Sequence, residues 1–554
     1  MKYLLPLIIL STSLSTYSQS FLKTISAEAD VQGQNIAISK EFNQTSMIGF
    51  YKSEAKTNGQ ILTFLNDQDG FLVANTLNGE LKFALSFSSN DYLRMEDVLI
   101  DNNGNTVVIG LYTGDTLRVA DKFYPSNDSI STFILKFNSI GQIIQEKIIR
   151  SNDWVQLRSI KEASNGDFYI GGVFFDEFRY DDSLFKNVRP IPPTDIDADM
   201  IILQVDNDFK LIRGKNIGSE KYDQINKLVI DNLNNIYVGG RTEGFSIIDT
   251  TIITDSENSI FMKFDSVLNF QWFKVGLSNN FNEVHSMIID NENNLIVGGD
   301  YFGQIIIDSD TINSSGSDKR CYITKINSAD SLIYLSGLDF NTSASIGIKF
   351  IAIAPLNAVV FGGNYGNTFF ILDSSATKTN FPRGYSVLMN ENGEFLDFYT
   401  LDGSKSSGIH DLAIIDSSMF YTGYFSDTTY FGEQGLIKTE NNQVVNDDGY
   451  MWKTTYYHKR RTKPTSVRYV ASKVVKHYVY PNPIRTTGKL KIIPQLEGFY
   501  TLTIVNALGQ VFYNNEHFGI TAEIQIPQRI GNGVYWLVIK GKESSLSMPF
   551  VVED

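Results

Sequence analysis

The stretch Asp231-Asn-Leu-Asn-Asn-Ile-Tyr-Val-Gly-Gly240 decides the fold. An Asp opens a polar Asn-rich turn, a short apolar strand follows, and paired glycines end it. Two close copies stand elsewhere, Asp101-Asn-Asn-Gly-Asn-Thr-Val-Val-Ile-Gly110 and Asp290-Asn-Glu-Asn-Asn-Leu-Ile-Val-Gly-Gly299. Weaker copies end at Gly172, Gly363 and Gly423, and the weakest is Ser46-Met47-Ile48-Gly49. Successive closing glycines lie 59 to 68 residues apart, so the chain is a repeat array.

A second marker alternates with the first, an aromatic-apolar strand that often carries Lys: Phe71-Leu72-Val73, Phe133-Ile134-Leu135-Lys136, Met200-Ile201-Ile202, Phe261-Met262-Lys263, Tyr322-Ile323-Thr324-Lys325, Tyr385-Ser386-Val387 and Tyr450-Met451-Trp452-Lys453. Each period holds about four short strands, the content of one propeller blade, and radial closure protects sheet edges. The expected fold is all-β, a seven-bladed β-propeller over residues 22–456. The period exceeds the roughly 40–45 residues of a WD40 blade. The excess, as in Val173 to Ala198, alternates apolar and polar and predicts long hairpins. A β-helix or solenoid is the rival, but such repeats are usually shorter. The pattern resembles the secreted bacterial β-propeller-repeat family across roughly residues 30–456.

The ends carry different information. Lys2, an apolar core from Tyr3 to Leu14 and small residues around Tyr17 read as a secretory signal over 1–18, too short to span a bilayer. No later stretch is long enough to do so. The lone Cys321 sits in an apolar strand pattern and reads as core. Between Asp448 and Glu497 the chain has eleven basic residues and no acidic one, against a net charge of −15 overall. That break marks a linker over 457–477. It lacks an aromatic-basic platform, so nucleic acid is not an expected partner.

From residue 478 the text changes to short alternating strands with turns at Asn506-Ala-Leu-Gly-Gln510 and Gly531-Asn-Gly533, which suits a small β-sandwich over 478–554. The motif Tyr480-Pro481-Asn482-Pro483, the turn at Gly509 and the strand Gly533-Val-Tyr-Trp-Leu-Val-Ile539 resemble the type A C-terminal sorting domain of the type IX secretion system. The resemblance implies the type IX secretion machinery as a partner, passage across the outer membrane, and release or attachment at the cell surface. Family members often end in a Lys-rich strand, whereas this chain ends Pro549-Phe-Val-Val-Glu-Asp554.

A propeller ligand is expected where the innermost strands begin. Counting back from each Asn/Gly turn, their first positions are Asn35, Glu96, Arg158, Asn226, His285, Lys349 and Asp411, all polar. Four residues upstream stand Tyr92, Trp154, Tyr222 and Phe281, with Ser345 and Ser407 in the last two copies. A polar ring and an aromatic crescent suit a glycan or an extended protein ligand. Polar strand starts are also common, and loop aromatics often staple neighbouring blades. The five histidines show no metal spacing, and there is no nucleophile elbow or phosphate loop. Asn66-Asp67-Gln68-Asp69-Gly70 lacks the first and last ligands of a calcium loop. No catalytic residue, metal or cofactor is assigned. The favoured reading is a secreted or surface-attached binding module. The alternative is a polysaccharide- or peptide-active enzyme using Glu96, Arg158, His285 or Asp411.

Overall fold

A computed structural model describes residues 20–455 and 478–553, apart from 127–129, 152, 189–197, 220, 244–246, 249–250, 253–257, 279, 315–318, 339–345, 367–380, 432–435, 439–446, 481–483, 486–487, 507–509, 528–529 and 542–544. The proposed signal 1–18, the basic linker 457–477, Pro481, Asn482, Pro483 and Gly509 lie outside the described residues. The chain divides into two compact units, Met1–Ser472 and Lys473–Asp554.

The first unit is all-β. Its recurring element is a four-stranded antiparallel sheet, such as Gln224–Ile230, Ile236–Thr242, Asn258–Phe264 and Phe270–Gly276 in spatial order. The Asp-turn motif joins strands one and two. Asp231 Oδ1 accepts the amides of Leu233 and Asn235, and its Oδ2 accepts Asn235 Nδ2 at 2.8 Å. Asp101 and Asp290 make the same bonds. This is why an Asp and an Asn stand four residues apart: one side chain satisfies a turn that would otherwise strand its backbone donors. The Lys of the second marker completes the motif. Lys325 Nζ lies 2.9 Å from Asp290 and Lys136 Nζ 3.4 Å from Asp101, each pair almost wholly buried.

The final sheet is made from both ends of the unit. Ser407–Ile415, Ser418–Ser426 and Asp447–Thr455 are completed by Phe21–Ala27, which pairs antiparallel with Asp447–Thr455. The expected hairpins follow the second strand of a repeat, as in Glu177–Tyr180 with Ser183–Lys186 and Gln304–Ile307 with Asp310–Asn313. They reach backwards along the chain. Thr116–Val119 pairs with Leu81–Ser89, the last strand of the preceding sheet, and Ala55–Thr57 pairs with Phe21–Ala27. Apolar side chains between sheets are buried throughout, among them Ile201, Phe261 and Tyr385. Cys321 is one of them, and burial pushes its thiol pKa up, as befits an inert core residue.

The second unit is built on the long strand Lys489–Asn506, which pairs with Tyr478–Tyr480, Val511–Gln525 and Gly533–Gly541. Ser545–Glu553 follows Gly533–Gly541, and Ile484–Arg485 joins it in parallel. Leu502, Ile504, Leu537 and Phe550 form its core. Tyr480 lies in a strand and Gly533 begins one.

Candidate functional site

The first strand of each sheet in the first unit carries a β-bulge at one recurring place. In Gln224–Ile230, Ile225 pairs with Gly240 and Lys227 with Gly239, leaving Asn226 as the extra residue. The other extra residues are Gln34, Glu96, Arg158, His285, Lys349 and His410. The closing glycine of the sequence repeat is the residue across from the bulge. A Cβ on Gly240 would overlap the carbonyl oxygen of Gln224. Gly49, Gly110, Gly172, Gly299, Gly363 and Gly423 face Gln32, Arg94, Gln156, Glu283, Gly347 and Gly408 in the same way. The bulge folds a carbonyl over the neighbouring strand, and only glycine leaves room. The glycine period and the polar ring are therefore one feature.

This register moves two positions. Gln34 and His410 occupy the bulge, while Asn35 and Asp411 stand one residue beyond it, level with Asp97 and Lys227. The strands Val31–Ser39 and Ser407–Ile415 run one residue further past the bulge than the others, so counting back from the turn lands one residue late.

Most side chains near the bulges tie one sheet to the next. Asn35 Nδ2 donates to the Glu96 carbonyl at 2.7 Å, and Asp97 Oδ2 accepts the Ile160 amide at 3.1 Å. Arg158 donates to Asn226 Oδ1, and Asn226 Nδ2 donates to the Val284 carbonyl at 2.8 Å. Asp300 Oδ1 accepts the Ile348 amide at 3.3 Å and Asn364 Oδ1 the Ile409 amide at 3.0 Å. Asp411 Oδ2 accepts the Ile36 amide at 2.9 Å, and His410 Nδ1 donates to the Gly33 carbonyl at 2.9 Å.

From Arg94 to Glu283 the polar groups form one continuous chain. Arg94 Nε lies 2.8 Å from Glu96 Oε1, which also accepts Gln156 Nε2 at 2.6 Å. Gln156 Oε1 accepts Arg158 at 3.1 Å and Trp154 Nε1 at 3.3 Å. Glu283 Oε1 accepts Asn226 Nδ2 and Gln224 Nε2, and the Tyr222 hydroxyl donates to Gln224 Oε1 at 2.7 Å. Burial pushes the Glu96 carboxyl pKa up against the pull of Arg94, Arg158 and Gln156. Burial pushes Asp411 up as well, while for Asp97 the charges of Lys161 and Lys227 and two backbone amides outweigh burial and hold it low.

The expected aromatic crescent divides. Tyr222 and Phe281 clasp the Arg241 guanidinium, 5.0 and 4.9 Å from the ring centres, and Phe281 also meets Phe302 edge-on. Trp154 is half-buried. Tyr92 is 40% exposed and lines a depression of about 230 Å³ with Gln34, Phe50, Gln68 and Arg94. Ser407 is buried and donates to the Leu401 carbonyl at 2.6 Å, and Ser345 lies outside the described residues.

On the remaining sheets a second cluster forms. His285 Nε2 is 2.7 Å from Asp300 Oδ2, Lys319 Nζ also meets that oxygen, and Asp300 is buried. Arg94, Gln156, Asp300 and Lys319 escaped the sequence reading. The first two stand two residues before each bulge, a position that could have been read from the ring. The others come from second and third strands, where no spacing points to them.

Comparison with known proteins finds two family matches. Residues 478–553 match the family of secretion system C-terminal sorting domains, and residues 214–246 match the β-propeller repeat family. The chain is a secreted protein that carries a β-propeller repeat and a type IX C-terminal sorting domain. That domain engages the type IX secretion machinery and delivers the protein outside the cell or to the cell surface. No curated protein matches the chain. Among solved structures it is similar to the phage phi92 endosialidase, at 8% identity and a TM-score of 0.36 over 96% of this chain and 87% of that one.

Proposed function

We propose that residues 22–456 form a closed seven-bladed propeller, and that the mature protein works outside the cell as a binding module with its site at the mouth of the central channel. Residues 1–18 act as the secretory signal, 457–477 as a basic linker and 478–554 as a small sorting β-sandwich. The closed ring is supported by the hydrogen bonds that pass from each sheet to the first strand of the next and from Asp411 back to Ile36. The observation that carries the binding reading is Tyr92, an exposed aromatic face beside Arg94 over a depression at the bulge ring. An aromatic face with a fixed donor beside it suits a sugar or an extended peptide.

The test is a glycan and peptide array probed with mature chain 19–554 and its Tyr92→Ala variant. Binding that the variant loses supports the mouth. Binding that Tyr92→Ala keeps moves the working surface to the hairpins. A second reading, an enzyme active on polysaccharide or peptide, is favoured by the His285–Asp300 pair and the raised pKa of Glu96. Turnover of a polysaccharide or peptide that vanishes in both His285→Gln and Glu96→Gln would put that reading first.

A further inference from the structure

Lys349 is the bulge residue of Ile346–Ile353, and its side chain is exposed. Among the described residues it makes no hydrogen bond or ion pair. The nearby carboxylate is already committed: Asp300 holds Lys319, His285 and the Ile348 amide. Lys349 thus feels the charge of Asp300 and Glu283 without pairing with either, while Lys319 and His285 occupy Asp300. Although the side chain reaches solvent, the atoms packed around the amine desolvate it and lower its pKa, the charges of Lys319 and Arg94 lower it further, and Asp300 and Glu283 oppose them.

The backbone leaves this cluster uncovered. Two residues before the bulge, where other strands place Arg94, Gln156, Gln224 and Glu283, this one has Gly347 and the next has Gly408. A Cβ on Gly347 would sit 3.3 Å from Lys319 Nζ and 3.5 Å from both Asp300 carboxylate oxygens, so a side chain would cover the cluster.

We propose that the channel mouth binds an acidic saccharide and that Lys349 meets its carboxylate or sulfate group, an inference that rests on the mouth-binding reading above. An anion supplied from outside gives Lys349 the direct partner that the fold withholds. Charge-assisted hydrogen bonds are among the stronger polar contacts. The exposed ring of Tyr92, beside Arg94, offers the face on which a sugar stacks, which favours a saccharide over an acidic peptide.

The test uses the mature chain 19–554 with four probes: a galacturonate hexamer, its carboxyl-reduced neutral form, a sulfated galactan oligomer and a tetraglutamate peptide. Acetylation of each lysine is followed by mass spectrometry, with affinity measured in parallel for the wild type and Lys349→Gln. One or both acidic saccharides are expected to protect Lys349, with the carboxylate and sulfate arms showing which acid is preferred. Lys349→Gln is expected to weaken binding about tenfold, the value of one charged hydrogen bond, at an unchanged melting temperature. The neutral hexamer should neither bind nor protect. Protection confined to linker lysines such as Lys459 and Lys463, equal binding by Lys349→Gln, preference for the peptide, or no protection by either acid would each overturn the inference. A neutral glycan that binds through Tyr92 while both acids fail would sink it and leave the mouth-binding reading standing.

Discussion

Two arcs of the bulge ring share one backbone and use it differently. From Glu96 to Glu283 each polar side chain finds a partner on its own or the next sheet, and the arc is a closed network. From His285 to His410 the same bulges recur, but glycines stand two residues before Lys349 and His410, one carboxylate serves several donors, and Lys349 reaches open space. The bulge is thus a scaffold, and the residues placed on it decide whether a given stretch ties neighbouring sheets together or leaves a side chain open to solvent. A polar ring read from sequence cannot separate these uses, because both need the same residue types.

The largest expected effect tests the shared backbone. Gly240→Ala in the closed arc and Gly363→Ala in the open arc should each lose about 3 kcal/mol or more in denaturant unfolding, the upper end of overpacking. Clearly unequal losses would mean the bulges are not equivalent.

The next effect depends on pH. His410 is held at about 4, below its usual 6.5, mainly by burial with Lys349 adding to it. The unfolded chain takes up this proton as pH falls below about 6.5, while the folded chain resists until about 4. Stability should therefore drop across that window by about 3 kcal/mol, and His410→Gln should flatten the slope. The network comes next. Glu283→Ala strands the amide of Gln224 and one bond of Asn226 and should cost about 1–3 kcal/mol. A neutral outcome would remove the distinction between the arcs. The smallest change is expected at Lys349. Lys349→Gln should alter stability by less than about 0.5 kcal/mol, as befits a side chain that supports no neighbour. A large loss would assign Lys349 to the closed network.

The repeat, the hairpins and the polar ring were legible because each is written in local text: Asp and Asn four apart, a glycine on a fixed beat, alternating side chains. The bulge itself was not. It inserts one residue into a strand and breaks the period of two, and the glycine that faces it reads in sequence only as the end of the neighbouring strand. That is why Asn35 and Asp411 stood in for Gln34 and His410. The clasp of Arg241 by Tyr222 and Phe281 was equally hidden, because its three members come from separate strands and loops. Asp300 and Lys319 were missed for the same reason: they face the ring from the second and third strands of their sheet.

The strand Phe21–Ala27, near the start of the chain, finds its partner in Asp447–Thr455, near the end of the first unit. During synthesis that first strand emerges early and can pair at its end with Ala55–Thr57, but its residues Phe21 to Ile25 wait until more than four hundred residues have followed it. Contacts of such sequence separation form slowly, and the intervening array carries two unprotected edges until they do. Completion of the last repeat, and not of any earlier one, is thus the event that commits the first unit to its final form.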